Sequence, residues 1–499
     1  MSRDLVNLLW FGGWLVAVAV LFAVALRLPL DTRRRGALRG LYVWGIVAAA
    51  VAVVVVANAA LMRHDVHIDL TRERTFTPSM ATEEVVAGLT RDVTLTYFYH
   101  ARDDAGRRAK HLVEVLGRRN PRLHVRTVDP DRQPTLAQTY GVRLYNAAVI
   151  EAEGRRIQVA GTDDVDIAIG IQRVLRQRVT TVCFMEGHGE YPFDNFEFHT
   201  HVETAHAHSH GDKSSARVEM EGHGAGRLRR ALEALGFEAR KIITATLREI
   251  PPDCAIVVAV NPRTTYLPAE SEALAAYLDR GGAALLMYDL GFVVEPRLAA
   301  LLARLGLRLE QQAIVDPLDH YATDHETVAV PVYEAHPVTT RVALTFYPGV
   351  RPLTLLPPPP GVRVTPLALS SKESFSRAVT PIGARAVPMA ASPAPTRTGR
   401  HVVAAAVEGT TAPFRVVVVG DGDFASNSFL PYMANSDFVL SAIRWLGRED
   451  QQTRLRPAMP VPAMVLLTKR QMQAIFLVVE GLLPLSAVIV GGVVWWKRR

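Results

Sequence analysis

Two long stretches of uncharged apolar residues, a mixed centre and a third apolar stretch at the far end set the pattern of this chain. Residues 8–26 carry no charge over 19 positions, and residues 41–62 carry none over 22. At about 1.5 Å per helical residue, each covers a hydrocarbon core of roughly 30 Å. Residues 476–496 form a third run, which contains Glu480 and Pro484 and is closed by Trp495, Trp496, Lys497, Arg498 and Arg499. The pattern predicts three transmembrane helices. The first run exceeds the apolar core of a signal peptide and no small-residue cleavage site follows it, so it is expected to stay attached.

Orientation follows from the flanking charges. The loop 27–40 holds five Arg against one Asp, and the chain ends on a basic cluster. By the positive-inside rule both face the cytoplasm, outweighing Lys469 and Arg470 on the other side of the third span. The long stretch between spans two and three then faces outward. The expected address is a bacterial inner membrane, with a large periplasmic or extracytoplasmic domain and a cytoplasmic C-terminus. Glu480 falls near the outer interface, where a hydrated position is expected rather than a contact to a neighbouring membrane helix.

Shorter periods govern the outer region. Thr77 or Ser79 can cap a helix whose first turn carries Glu83 and Glu84. Residues 93–100 read as a strand, 103–120 as a helix, 123–130 as a strand, 136–140 as a short helix, 147–161 as a hairpin and 163–178 as a helix. The order βαβαββα is that of a thioredoxin-like fold, without the Cys pair and the Pro that thiol exchange uses. A second unit opens at 180–192 with a nearly continuous apolar run, which suits a strand covered on both faces. Helices at 226–237, 268–282, 295–306 and 437–447 alternate with strands at 254–262, 283–290 and 414–429. Pro268 and Gly281 stand where helix starts and stops favour them. This alternation predicts a doubly wound, mostly parallel α/β domain. Residues 320–405, with four consecutive prolines at 357–360, read as a β-rich insertion carrying a stiff surface segment. The expected organisation is a transmembrane hairpin at 1–64, a thioredoxin-like module at 65–178, the α/β domain at 179–450, a linker at 451–472 and a final span with its basic tail at 473–499.

Composition narrows the chemistry. A chain of 499 residues with 49% apolar and 21% charged content is multi-domain and too apolar to be disordered. The net charge of +7 comes without a basic stripe interleaved with aromatics, so nucleic acid is not an expected partner. Cys183 and Cys254 show no zinc spacing and cannot build a disulfide framework; both are expected as buried core residues. No GKS or GKT occurs, which excludes P-loop ATP hydrolysis by this chain. There is no GxSxG, and Cys183 lies inside an apolar strand rather than on a turn, so no catalytic residue is assigned.

Open α/β sheets bind ligands at the carboxyl ends of their strands. His188, Glu190, Asn261, Asp289, Asp421, Asp423 and Asn427 are placed there and form a candidate ligand pocket. Turn and cap chemistry is the simpler account of the same residue types, with Gly187, Gly189, Gly420 and Gly422 permitting the turns. His199, His201, His206, His208 and His210 crowd one segment after the GHGE turn. Imidazoles so placed would hold Zn²⁺ or Cu²⁺ weakly, the alternative being a tolerated polar insertion. No other cofactor is expected.

Several segments together carry a family resemblance: HIDLTRERTFTPS, TVDPDRQPTLAQTYGV, GHGEY, YLDRGGAALLMYD, GDGDFASNSF, NSDFVLSAIRWL and the last span with its basic end. In that order, from about residue 65 to the C-terminus, they resemble the gliding-motility-associated, GldG-like auxiliary components of ABC transporters. The resemblance implies a membrane-anchored extracytoplasmic subunit beside an ABC-2-type permease and a separate ATPase. It also implies an outer domain similar in fold to class I glutamine amidotransferases. The His-rich segment departs from the family. A non-enzymatic subunit that binds a partner or cargo, itself a candidate homo-oligomer, is therefore the expectation. The alternative is an extracytoplasmic metal-handling or hydrolase-like protein using the sheet edge or the His segment.

Overall fold

The computed structural model of the chain describes residues 76–176, 178–197, 224–321, 324–379, 397–410, 413–449, 455–457 and 475–498. The two N-terminal spans, the five-histidine segment and most of the linker expected from the sequence lie outside the described residues. Pro78–Arg499 form one compact unit.

Its first part runs α1 (Met80–Ala87), β1 (Val93–Phe98), α2 (Asp104–Gly117), β2 (Leu123–Val128), α3 (Pro134–Thr139), β3 (Ala147–Ala152), β4 (Arg155–Ala160) and α4 (Asp164–Leu175). Ser79 caps α1 by accepting the Thr82 N–H at 3.3 Å, and Asp103 caps α2 by accepting from Ala105 and Gly106. The sheet order is β2-β1-β3-β4, with β2 parallel to β1 and the β3–β4 hairpin antiparallel. The element order βαβαββα is thus present. β1 and β3 are central and almost wholly buried, whereas β4 lines the edge and keeps most of its side chains in water.

The second part follows as β5 (Thr181–Glu186), α5 (Gly226–Ala234), β6 (Glu238–Ile243), β7 (Ile256–Val260), α6 (Pro268–Asp279), β8 (Ala283–Met287), α7 (Pro296–Arg304) and β9 (Leu307–Leu309). Short strands come next: β10 (Gln312–Val315), β11 (His320–Tyr321), β12 (Asp324–Val330), β13 (Thr345–Pro348), β14 (Leu353–Leu355), β15 (Val362–Leu369), β16 (Phe375–Ala378) and β17 (Arg397–Thr398). Then come β18 (Val402–Gly409), β19 (Arg415–Val419) and α8 (Asn435–Leu446). One nine-stranded sheet has the order β6-β5-β7-β8-β19-β18-β14-β9, with β15 also on β18. From β6 to β19 neighbours are parallel; from β18 onward they are antiparallel.

Alternate residues of the parallel strands face two apolar layers. Val182, Phe184, Ile256 and Val258 pack with Leu228 and Leu232 of α5 and with Phe438, Val439 and Ile443 of α8. Cys183, Met185, Val257 and Ala259 pack with Leu274 and Leu278 of α6 and with Leu298 and Leu301 of α7. Helices therefore cover both faces, as continuous apolar strands such as IVVAV and RVVVV require. The first of these layers continues into Leu95, Ile150 and Ile171 of the preceding module.

Three features differ from the sequence reading. β6 is an additional edge strand, whose Glu238, Arg240 and Lys241 hide the alternation. The segment read as an insertion contributes β14, β15 and β18 to the principal sheet itself. Cys183 and Cys254 are buried as expected but joined in a disulfide, with Cα atoms 5.6 Å apart. Each thiol was read as an isolated small hydrophobe; pairing of β5 with β7 brings them together.

Among the described residues, Leu477–Lys497 is the helix long and apolar enough to cross a membrane. It opens with a wider π turn, Leu477–Leu482, and continues as α9 (Leu483–Arg498). Pro484 has no N–H to offer the Glu480 carbonyl, which accounts for the widened turn just before it.

Candidate functional site

The chain leaves β5, forms α5 and β6 on one side, then crosses to β7 on the other side of β5. The loops after β5 and β7 therefore flank a topological switch point, where such sheets form ligand sites. The β5 loop turns through Gly189, whose φ of +74° suits glycine. The loop is then strapped to its neighbour: the Arg263 and Thr264 N–H groups donate to the His188 carbonyl at 2.8 and 2.9 Å, and the Tyr191 N–H donates to Val260 at 3.0 Å.

This strapping buries a string of polar groups. His188 Nε2 lies 3.0 Å from Glu270 Oε2, and its Nδ1 lies 3.9 Å from Glu190 Oε1. Glu270, near the start of α6, also accepts from Thr244 Oγ1 at 2.6 Å and from the Leu267 N–H at 2.7 Å. Glu190 takes the His188 N–H at 2.7 Å, and burial raises its pKa above the ordinary glutamate value. The Tyr266 ring meets His188 edge-on, with centroids 5.0 Å apart.

A second group gathers beside it at the ends of β7, β8 and β19. Asn261, at a φ of +53°, donates its side-chain amide to Asp423 Oδ1 at 2.8 Å and to Asp289 Oδ2 at 3.3 Å. The Tyr191 hydroxyl donates to the same Asp423 oxygen. Asp421 accepts the N–H groups of Asp423 and Phe424 at 2.8 and 3.3 Å, and Asp289 accepts that of Leu290 at 2.6 Å. Asp421 and Asp423 are withdrawn from water, and Asp289 is half-buried beside them. Burial, then mutual repulsion, pushes Asp289 and Asp421 well up from the usual carboxylate range. Burial raises Asp423 to about 6, against the hydrogen bond from Tyr191, the charge of Arg263 and the hydrogen bond from Asn261.

Six of the seven residues expected at the strand ends thus lie in these two adjoining groups. Asn427 does not. Its Oδ1 accepts the Arg227 N–H at 2.8 Å, and its Nδ2 donates to the carbonyls of Asn195 and Glu197 at 2.7 and 2.9 Å. It fastens the start of α5 to the loop beneath. Glycine at 420 serves close approach rather than a turn, since a Cβ there would stand 1.9 Å from the Arg351 carbonyl oxygen.

Sequence reasoning did not single out Tyr191, Glu270 or Arg351. Tyr191 stands within the GHGEY turn, and Glu270 at a capping position of α6. Arg351 has no sequence signal: it is fully buried, with its donors on the carbonyls of Asp289, Phe292 and Glu310 and on Gln311 Oε1, and burial lowers its pKa to about 10. The arrangement gathers three acidic side chains with amide and hydroxyl donors, Asp289 alone of the three being partly exposed. A cavity of about 530 Å³ lined by Asp92, Thr94, Glu151 and Arg155 involves none of these residues. The five histidines of the candidate metal segment lie outside the described residues.

Residues 180–442 match a family model described as an ABC-type uncharacterized transport system, auxiliary. No curated protein matches the chain. Among solved structures, the chain is similar to the mmIFT52 N-terminal domain at 14% identity, covering 53% of this chain and 97% of that one, with a TM-score of 0.36. It is similar to Fasciola hepatica thioredoxin at 20% identity, covering 18% and 88%, with a TM-score of 0.16. A mutant thioredoxin from Halobacterium salinarum NRC-1 is 25% identical over 20% of this chain and 91% of that chain, with a TM-score of 0.16.

Proposed function

Because the chain belongs to the family of auxiliary components of ABC-type transport systems, we propose that it is a non-enzymatic, membrane-anchored subunit working outside the cytoplasm beside an ABC-2-type permease and a separate ATPase. The observation that carries this reading is the family match over residues 180–442, which spans the principal sheet and most of its helices. The apolar helix Leu477–Lys497 supports an anchor. The Cys183–Cys254 disulfide supports an oxidising, extracytoplasmic compartment, since such bonds are rare in the reducing cytosol.

In this reading the GldG-like resemblance extends to the architecture. The βαβαββα part is a thioredoxin-like module that has lost thiol chemistry and offers a binding surface. The doubly wound part is a class I glutamine-amidotransferase-like domain without its nucleophile, Cys183 being committed to the disulfide. The chain docks on the permease through its spans and binds a partner or cargo with its outer domain. ATP hydrolysis is left to the separate subunit, since this chain lacks the phosphate-cradling loop.

Location is tested with reporter fusions in the native host. A fusion after residue 35 should report cytoplasm and one near residue 250 should report the outer side. The reverse pattern would contradict the extracytoplasmic reading.

A further inference from the structure

Asp289, Asp421 and Asp423 each offer one carboxylate oxygen, and these oxygens all lie within 4.8 Å of one another. Asp421 and Asp423 are wholly shielded from solvent. Asp423 Oδ1 is held by Tyr191 and Asn261, but its Oδ2 has no hydrogen-bond partner. A buried acceptor left so carries a desolvation penalty, larger when it is charged. Evolution of a merely structural network would be expected to place a donor there, as it does on the other carboxylate oxygens of the group. Neighbouring positive charge does not fill the gap: Arg351 spends its donors on carbonyl and amide oxygens, and Arg263 acts on Asp423 through its charge, with no hydrogen bond to Oδ2.

We propose that Asp289, Asp421 and Asp423 form a coordination site for one hard divalent cation, Ca²⁺ or Mg²⁺, at the carboxyl ends of β8 and β19. An all-oxygen donor set selects hard ions over those that favour imidazole or thiolate. No pair of these oxygens is farther apart than a Ca²⁺ ion allows, since two oxygens on opposite sides of the ion, each bonded at about 2.4 Å, stand about 4.8 Å apart. The donors are also set in advance. Asp421 is fixed by two backbone N–H groups and Asp289 by one, and each oxygen keeps a second lone pair for a metal. Asp423 Oδ2 supplies the free oxygen. The ion would turn mutual repulsion into attraction and tie the loops after β8 and β19 together. Through Asn261 and Tyr191 it would also brace the loops after β7 and β5. This inference does not depend on the transport reading.

The rival account is that the carboxylates share protons and bind no metal. Full-length protein in detergent, stripped with EDTA and desalted, is titrated with CaCl₂ or MgCl₂ while thermal unfolding and heat of binding are recorded. Tb³⁺, a luminescent stand-in for Ca²⁺, is added separately and excited through tyrosine. The imidazoles of the His-rich segment are poor ligands for these hard ions. The expected result is a rise of several degrees in the melting midpoint, with Tb³⁺ emission that Ca²⁺ displaces. Asp423→Asn, which keeps the shape and the Oδ1 acceptor, should weaken binding at least tenfold. Tyr191→Phe should dim the Tb³⁺ emission. Should Asp423→Asn fail to fold, Asp289→Asn is read in the same assay. No binding by the wild type up to about 10 mM, beyond even weak extracellular Ca²⁺ sites, would overturn the proposal. So would binding that the folded Asp variants retain in full.

Discussion

His401 is 2% exposed, with Nδ1 3.1 Å from Ser374 Oγ and Nε2 without a partner. Burial, reinforced by the charge of Arg397, lowers its pKa from 6.5 to about 4. Between those values the unfolded chain takes up a proton that the folded one refuses. The stability that depends on neutral His401 is therefore complete above about pH 6.5 and is lost as pH falls toward 4. A shift of this size corresponds to roughly 3 kcal/mol. Denaturant unfolding of wild type and His401→Gln should show the wild type losing more stability between pH 7 and pH 4.5; equal losses would contradict this account. At this scale the sequence was partly legible. Six strand-end residues could be placed from the rule that loops after parallel strands face one edge. Arg351 could not, because its role depends on carbonyls of residues far away in the chain and on the close approach at Gly420.

Continuous apolar runs made β5, β7, β8 and β19 readable as elements, since burial on both faces leaves no other composition. β6 escaped because it is an edge strand with charges on its open side, and β14 because it is only three residues long. Neither has a period to detect. The disulfide escaped for a topological reason: its cysteines are 71 residues apart and meet only because β7 crosses over to pair with β5. It closes the two strands that flank the switch point. Protein isolated from its native membrane should therefore show no titratable thiol after denaturation without reductant. Reduction, or Cys183→Ala with Cys254→Ala, should lower stability by about 2–4 kcal/mol in denaturant unfolding. Two free thiols in the native protein would contradict the bond and remove the compartment argument with it.

Within Pro78–Arg499, the two sheet-bearing parts are tied at a buried junction. Arg176, at the end of α4, pairs with Glu449, just after α8, at 2.6 Å, and its guanidinium also donates to the Gly236 carbonyl at 2.9 Å. The apolar layer of the principal sheet runs on into the first module, so the two parts behave as a unit despite their separate sheets. The central claim is that this unit works in an ABC transport assembly. Its most direct test is affinity purification of the tagged chain from native membranes in mild detergent, with every co-purifying protein identified and quantified. The account predicts a polytopic permease and a P-loop ATPase in fixed ratio to the chain, both lost when the spans are replaced by an unrelated anchor. Recovery of the chain without either, from cells that express both, would contradict it.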